Sequence, residues 1–127
     1  MLQVLLIDDN PMQLQVRQAV LQEAGMSVST AETAEAALDQ LRQPTHRFQV
    51  IVTDHMLPGE NGAAFVRQLR AINSAIPVLA ISGMPGVQEE YAELNVCFLP
   101  KPVAPEELIR CVTELGKSSS SRAATQE

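Results

Sequence analysis

Short apolar segments alternate along the chain with segments whose apolar residues recur at helical spacing. The apolar runs are rich in β-branched residues and end at polar or turn-forming residues, which is typical of buried strands. They cover residues 2–7, 26–30, 48–53, 77–81 and 96–99. Because a predicted helix comes after each strand over short connections, the pattern favours a parallel sheet with right-handed crossovers and helices on both faces. The predicted fold class is α/β, with five strands and five helices.

The segment after the first strand and the number of strands together indicate the strand order. No glycine-rich dinucleotide-binding motif occurs after the first strand, and the strand pattern ends at five. We therefore predict a flavodoxin-like, doubly wound sheet in the order 2-1-3-4-5 rather than a Rossmann order. The second strand alternates polar and apolar residues, with Val28 between Ser27 and Ser29, as expected at a sheet edge.

Cap and turn residues indicate where the helices begin and end. Asn10 is predicted to cap the first helix, which has Pro11 in its first turn and ends at Gly25, and Thr33 is predicted to cap the second. The residues of the first helix that are expected to be buried are Met12, Val16, Ala19 and Val20. Those of the third helix are Phe65, Val66, Leu69 and Ile72. A weaker fourth helix over about 87–94 precedes Asn95, which tolerates a left-handed conformation.

Size and composition restrict the class of protein. With 127 residues, 46% of them hydrophobic, the sequence fits one domain over 1–116 and a flexible serine-rich tail over 117–127. The net charge of -6 and the scattered basic residues argue against nucleic-acid binding. No run resembles a signal peptide or is long enough to span a membrane, so we expect a cytoplasmic protein without membrane association. Cys97 and Cys111 form no metal-type pattern with His46 or His55 and are expected to be reduced thiols.

Charged and polar residues lie directly after the predicted strands. Asp8 and Asp9 come after the first strand and Asp54 after the third, while Ser82 and Lys101 come after the fourth and fifth. The strand order predicts that these residues converge at the carboxyl edge of the sheet. Two carboxylates at ~4 Å and an effective dielectric constant near 20 repel by about 4 kcal/mol, so a cation is needed among them. Mg²⁺ suits carboxylate and carbonyl oxygens with retained waters, and Lys101 supplies a fixed positive charge.

This combination of groups predicts phosphoryl transfer with a carboxylate as the nucleophile. Such a reaction requires neutralised phosphoryl oxygens and an aligned nucleophile, with little other covalent chemistry from the protein. We assign Asp54 as the nucleophile because Asp8 and Asp9 serve the metal, and because Ser82 and Lys101 can each contact one phosphoryl oxygen. Taken singly, the residues have structural alternatives: Asp8 and Asp9 could favour a helix N-terminus, and Ser82 could be a turn residue.

Four motifs then carry a resemblance to a known family. They are Leu6-Ile7-Asp8-Asp9-Asn10, Asp54 with Leu57-Pro58 and Gly62, Ser82-Gly83, and Lys101-Pro102. In this order they resemble the response-regulator receiver domain of two-component signalling, over residues 2 to about 115. The chemotaxis regulator, a member of that family, has the strand order given above, so the two predictions are not independent.

The resemblance implies a function for this edge of the sheet. Asp54 would accept a phosphoryl group from a sensor histidine kinase or a phosphotransfer protein. Mg²⁺ would be bound by Asp9, Asp54 and the backbone carbonyl of Met56, with Asp8 acting through water. The domain would turn over no external substrate as an enzyme, and would catalyse only its own phosphorylation and dephosphorylation.

The resemblance also implies a switch. Ser82 and Lys101 would contact the phosphoryl group, Phe98 would be the switch aromatic on the fifth strand, and the Lys101-Pro102 peptide would be cis. Phe98 could instead be a plain core aromatic. The change would be read by a downstream protein whose identity the sequence does not give. Met56 and Met84 flank the phosphoryl group without a side chain that positions water, so loss of phosphate is expected to be slow.

Departures from the family pattern leave two other functions open. Ser82 and Lys101 are 19 positions apart, a few fewer than in the family, and the shortening falls in the fourth helix. Glu60 stands where the family has an apolar residue, and His55 is interpreted as a partly exposed bystander. A phosphorylation-independent docking module is one alternative. A Mg²⁺-dependent phosphohydrolase is another, although the sequence has neither its Asp-x-Asp motif nor a cap.

Overall fold

The computed structural model describes the backbone of residues 1–45 and 47–125, and side chains within this range as far as Lys117. His46 and the last two residues, 126 and 127, lie outside it, as do the sequence predictions for them. The strands are β1 Gln3–Ile7, β2 Ser27–Ala31, β3 Val50–Asp54, β4 Val78–Ser82 and β5 Cys97–Pro100. The helices are α1 Pro11–Glu23, α2 Ala34–Leu41, α3 Gly62–Ile72 and α4 Pro105–Thr125, with a 3₁₀ helix over Val87–Tyr91.

All five strands are parallel and lie in the order β2-β1-β3-β4-β5, so the predicted α/β fold and strand order are confirmed. Successive residues of β1 point to opposite faces of the sheet. Leu5 and Ile7 pack with α2 and α3, and Val4 and Leu6 pack with α1 and α4. Because helices cover both faces, the central strands are buried on both sides, which explains their continuous apolar sequence.

The ends of α1 agree with the sequence prediction, whereas its predicted buried face does not. The Asn10 side chain accepts hydrogen bonds from Met12 and Gln13, and Gly25 has a φ of 91°. The prediction that Met12 and Val16 are buried is wrong, since they are 75% and 61% exposed. Ala19 is also exposed and Val20 is half-buried. The buried residues of α1 are Leu14 and Leu21, because the helix packs with its leucine face on the sheet.

The end of α3 also differs from the prediction. Phe65, Val66 and Leu69 are buried as expected, but Ile72 is 43% exposed. Ile72 is the last residue of the helix, where the chain leaves the sheet toward Asn73. The helical spacing of apolar residues in α3 therefore continues beyond the part of the helix that packs on the core.

The predicted fourth helix is a single 3₁₀ segment, so the described part of the chain has four α-helices rather than five. Residues 83–96 must carry two turns as well as the helix, which leaves too little chain for a longer one. The chain turns back through Glu93 and Asn95, which have φ values of 66° and 58°, and the left-handed Asn95 is as predicted. Arg70 of α3 holds this turn by donating hydrogen bonds to the carbonyl oxygens of Leu94, Asn95 and Ile76 at 2.9, 3.1 and 2.7 Å. It also donates a longer one to the Asn73 carbonyl at 3.4 Å.

The last helix is longer than the sequence indicates. Its backbone is helical as far as Thr125, where a tail from Lys117 onward is predicted. The sequence contains no proline or glycine after Gly116 that would end a helix. The domain limit at 116 stays a prediction. Within residues 1–45 and 47–125, no helix has the length and apolar character needed to cross a membrane.

Candidate functional site

The carboxyl ends of the strands bring the predicted site residues to one edge of the sheet. Asp54 and Ser82 are the last residues of β3 and β4, Asp8 comes directly after β1, and Lys101 directly after β5. Asp8, Asp54 and Ser82 are buried, and Lys101 is half-buried. Since β3 lies between β1 and β4, Asp54 occupies the middle of this group.

Asp54 and Lys101 form the central contact. Lys101 Nζ donates to Asp54 Oδ2 at 3.0 Å, with the Asp54 side chain 5% exposed and that of Lys101 30% exposed. Asp54 Oδ1 lies 3.4 Å from the backbone nitrogen of Met56. The Lys101 backbone N–H donates to the Ser82 carbonyl at 3.0 Å, and the Lys101–Pro102 peptide is cis. A buried carboxylate is thus matched by one cation that still reaches solvent.

The Asp8 carboxylate has a partner that the sequence analysis missed. Arg17 of α1 donates to Asp8 Oδ2 at 2.7 Å, and the Asn10 N–H donates to Asp8 Oδ1 at 2.9 Å. Burial is the main cause that raises the pKa of Asp8, and the Asp54 carboxylate raises it further, against the effects of Asn10, Arg17 and Lys101. The helical position of Arg17, two turns after Pro11 on the side toward β1, is the signal that could have identified it.

The carboxylates at this edge do not form a three-membered metal cluster. In the part of the chain that the structure describes, no three His, Cys, Asp or Glu side chains are arranged to hold a metal ion. Asp8 and Asp54 are buried and interact electrostatically, whereas Asp9 is exposed at the start of α1. Mg²⁺ is usually bound through one or two carboxylates with retained waters, so the carboxylates of Asp54 and Asp9 with the Met56 carbonyl would suit it without a cluster of three acids.

Ser82 and Phe98 lie at the edge of this group rather than in contact with the acidic residues. Ser82 Oγ accepts a hydrogen bond from the Met84 N–H at 3.0 Å. Phe98 is half-buried, packs against the core on the α2 and α3 face, and its ring lies 6.1 Å from that of Tyr91. Met56 and Met84, 57% and 49% exposed, lie two residues after Asp54 and Ser82, respectively.

His55 is buried, so the prediction that it is partly exposed is wrong. Its backbone continues the strand by donating to Ile81 O at 2.9 Å, which directs the side chain into the protein. Nδ1 lies 2.8 Å from the Tyr91 hydroxyl, and Nε2 lies 3.6 Å from Glu90 Oε2. No sequence pattern links residues 55 and 91, because the contact depends on how the 3₁₀ helix packs.

A groove of about 640 Å³ lies between α1 and α4 beside the site. The charged residues Arg17 and Lys101 are part of its lining. Its apolar lining consists of Met12, Val16, Val20, Pro102, Val103, Pro105 and Leu108. Met12 and Val16, which were predicted to be buried, thus line this groove, which we call the α1–α4 groove.

The family model of the response regulator receiver domain matches residues 4–113. The chain belongs to this family. Among curated proteins, the receiver domain is 36% identical over 124 residues to the sensor histidine kinase AruS of Pseudomonas aeruginosa, covering 92% of this chain and 12% of that protein. It is 31% identical over 120 residues to the response regulator MprA of Mycobacterium sp. (strain KMS), covering 92% of this chain and 51% of that protein.

Solved structures show the same fold. The chemotaxis response regulator CheY4 of Vibrio cholerae has a TM-score of 0.81 and 28% identity, with 91% of this chain and 98% of that chain covered. The receiver domain of the Francisella response regulator 1452 has a TM-score of 0.84 and 28% identity, with 94% and 99% covered. The receiver domain spans at most about half the length of the curated relatives named above.

Proposed function

We propose that Asp54 is the phosphoacceptor of this receiver domain and takes its phosphoryl group from a phosphohistidine. The observation that carries the proposal is the buried Asp54 carboxylate, paired with Lys101 at 3.0 Å at the end of the central strand β3. An Asp54 oxygen forms a bond to phosphorus while the P–N bond to the donor imidazole breaks. The imidazole keeps the electron pair and gains a proton. Lys101 holds positive charge where the phosphoryl oxygens arrive.

The residues that would hold Mg²⁺ are Asp9, Asp54 and the backbone carbonyl of Met56, with Asp8 acting through water. When bound, the ion would neutralise phosphoryl oxygens and oppose the repulsion between the carboxylates. The pairing of Asp8 with Arg17 supports a secondary role for Asp8, because its oxygens already accept two hydrogen bonds. Asp9 is exposed in the loop between β1 and α1, next to Asp8.

The phosphodonor is a sensor histidine kinase or a phosphotransfer protein, and it docks in the α1–α4 groove. Lys101 lines the groove and contacts Asp54, so a protein seated there presents its histidine next to the acceptor. The exposed side chains of Met12 and Val16 provide an apolar surface for a partner helix. A helix that lies across α1 and α4 would cover both.

Phosphorylation changes the charge at Asp54 and draws Ser82 and Lys101 toward the phosphoryl group. Ser82 must exchange its hydrogen bond from the Met84 N–H for one to a phosphoryl oxygen. That movement vacates space beside β4, which Phe98 of the neighbouring strand β5 can fill. The surface formed by the 3₁₀ helix, β5 and α4 then differs between the two states, and a downstream protein reads the difference.

Intact mass after incubation with acetyl phosphate and Mg²⁺ tests the proposal. Wild type is expected to gain one phosphoryl group, while Asp54→Asn and a sample with excess chelator gain none. Asp54→Asn retains the size and a hydrogen-bonding oxygen of the side chain, so it is a matched control for folding. Absence of any gain by wild type would contradict the proposal and favour a domain that only docks.

A further inference from the structure

The proposed phosphoryl transfer makes no use of the buried side chains of His55 and Tyr91. His55 is 3% exposed and Tyr91 5% exposed, and His55 Nδ1 lies 2.8 Å from the Tyr91 hydroxyl. The two rings meet edge to face with centroids 5.6 Å apart. His55 is the residue directly after Asp54, so this pair connects the acceptor to the 3₁₀ helix Val87–Tyr91.

The surrounding groups determine the direction of the hydrogen bond. Nε2 of His55 faces Glu90 Oε2 at 3.6 Å, so the ring proton of the neutral form belongs on Nε2. Nδ1 is then an acceptor, and the Tyr91 hydroxyl is the donor. Burial raises the pKa of Tyr91, with smaller effects from Glu90 and Asp54, so the hydroxyl keeps its proton.

The Tyr91 hydroxyl also occupies a space that exists only because residue 62 is glycine. A Cβ on Gly62 would collide with the Tyr91 hydroxyl and would lie 2.8 Å from the Asp54 carbonyl oxygen. The Gly62 N–H donates to the His55 carbonyl at 2.6 Å, which closes the loop after the acceptor. The hydroxyl therefore lies against the backbone of the loop that carries Asp54.

The Tyr91 ring also lies near the ring of Phe98, the predicted switch residue. The Tyr91 and Phe98 rings have centroids 6.1 Å apart at an interplanar angle of 57°. The 3₁₀ helix is fixed to α3 by two further hydrogen bonds, from Asn61 to the Glu90 carboxylate at 3.0 Å and from Arg67 to the Glu90 carbonyl at 3.1 Å. Tyr91 thus contacts the acceptor loop through its hydroxyl, and its ring packs near the ring of Phe98.

We propose that Tyr91 is a positioning residue that couples the loop after Asp54 to Phe98, with His55 holding its hydroxyl in the unphosphorylated state. This proposal rests on the function proposed for Asp54. A phosphoryl group on Asp54 moves the adjoining His55, the hydrogen bond to Tyr91 is released, and the Tyr91 ring no longer holds Phe98 in its present place. This coupling through Tyr91 acts in addition to the exchange of hydrogen bonds by Ser82. It depends on the 3₁₀ helix Val87–Tyr91, which stands where a longer fourth helix was predicted.

The coupling predicts a change in the phosphorylation rate. If the hydrogen bond favours the unphosphorylated arrangement, Tyr91→Phe shifts the population toward the reactive one. Loss of one net hydrogen bond is expected to raise the rate with acetyl phosphate about fivefold. The effect should disappear in a Phe98→Leu background, because Tyr91 acts through Phe98. Thr33→Ala, which removes a cap hydrogen bond at the start of α2, should leave the rate unchanged.

Tyrosine fluorescence gives a direct reading of the same event. Tyr91 is the single tyrosine of the sequence, which has no tryptophan, so the emission reports on it alone. Wild type is incubated with acetyl phosphate and Mg²⁺, and emission and intact mass are measured over time on the same samples. Emission is expected to rise at the rate of phosphoryl gain, as the hydroxyl leaves His55, and to stay constant in Asp54→Asn.

The outcomes separate the two proposals. Phosphoryl gain without a change in emission would overturn the coupling through Tyr91 and leave the acceptor role of Asp54 intact. An equal rate effect of Tyr91→Phe with and without Phe98→Leu would overturn the route through Phe98. No phosphoryl gain by wild type would overturn both proposals.

Discussion

The Asp54 carboxylate is held in a buried position by one ammonium group and one distant backbone N–H. The 3.0 Å contact with Lys101 offsets the cost of burying the charge, and under the proposed function it would also hold a cation where the phosphoryl group arrives. The cost of burying Asp8 is offset by different partners, because Arg17 and the Asn10 N–H each donate a hydrogen bond to one of its oxygens. Under the proposed function, Asp54 is therefore the reactive acid and Asp8 the fixed one.

Removing the Lys101 charge tests this distinction. Lys101→Met is expected to slow phosphorylation by acetyl phosphate about tenfold or more, because a charge-assisted hydrogen bond contributes about 1.5–3 kcal/mol. The time course of phosphoryl gain by intact mass gives the rate. Lys101→Arg keeps the charge, so its phosphorylation rate should fall less than that of Lys101→Met. Equal rates for Lys101→Met and wild type would contradict the role of Lys101.

Under the proposed function, we predict that the lifetime of the phosphoryl group depends on the two exposed methionines. Met56 and Met84 offer no polar group that could orient a water molecule toward phosphorus. Met56→Asn combined with Met84→Glu is expected to shorten the lifetime, measured as phosphate release after the donor is removed. Met56→Leu with Met84→Leu serves as the matched apolar control. An unchanged lifetime in the polar pair would show that these side chains do not control water.

Among the secondary-structure elements, the short segment between β4 and β5 differs most from the sequence prediction. Periodicity predicts a helix over 87–94, but the length of the connection limits it to the 3₁₀ helix Val87–Tyr91. Cap residues were more informative, since Asn10 and Thr33 begin α1 and α2 as predicted. A cap acts within a few residues of the chain, whereas a helix length also depends on the distance that the segment must cover.

Arg70 is the residue that fixes the turn after this 3₁₀ helix. It donates to four carbonyl oxygens, so Arg70→Met leaves several acceptors without this donor. We expect the free energy of unfolding to fall by about 2 kcal/mol in chemical denaturation. Arg67→Met, which loses one exposed hydrogen bond, is the control and should lose less than about 1 kcal/mol. Equal losses of unfolding free energy in Arg70→Met and Arg67→Met would contradict the proposal that Arg70 stabilises the turn.

For the whole molecule, the strand order explains why part of the site could be predicted. The order places the ends of β1, β3, β4 and β5 side by side, so the proximity of Asp54 and Lys101 results from topology. The pairs Asp8–Arg17 and His55–Tyr91 depend on how helices rotate against the sheet, which periodicity does not determine. The same rotation exposes Met12 and Val16, and it creates the α1–α4 groove.

A substitution in the α1–α4 groove can distinguish docking of a protein donor from the phosphoryl transfer step itself. Val16→Asp places a charge in the apolar lining and is expected to reduce phosphoryl transfer from a phosphorylated histidine-containing partner at least about tenfold. Transfer from acetyl phosphate should stay unchanged, because that donor needs no docking surface. Gln15→Asp adds the same charge on an exposed position of α1 outside the groove lining. Equal effects of the two variants would place docking elsewhere.

Mapping the phosphorylated residue is the direct test of the proposal that Asp54 is the phosphoacceptor. Borohydride reduces an aspartyl phosphate and marks its position, which peptide mass mapping then locates after reaction with acetyl phosphate and Mg²⁺. We predict the mark at residue 54 in wild type and no mark in Asp54→Asn. A phosphoryl group mapped to the neighbouring His55 or to Ser82, or no mark at all, would contradict the assignment of Asp54 as the acceptor.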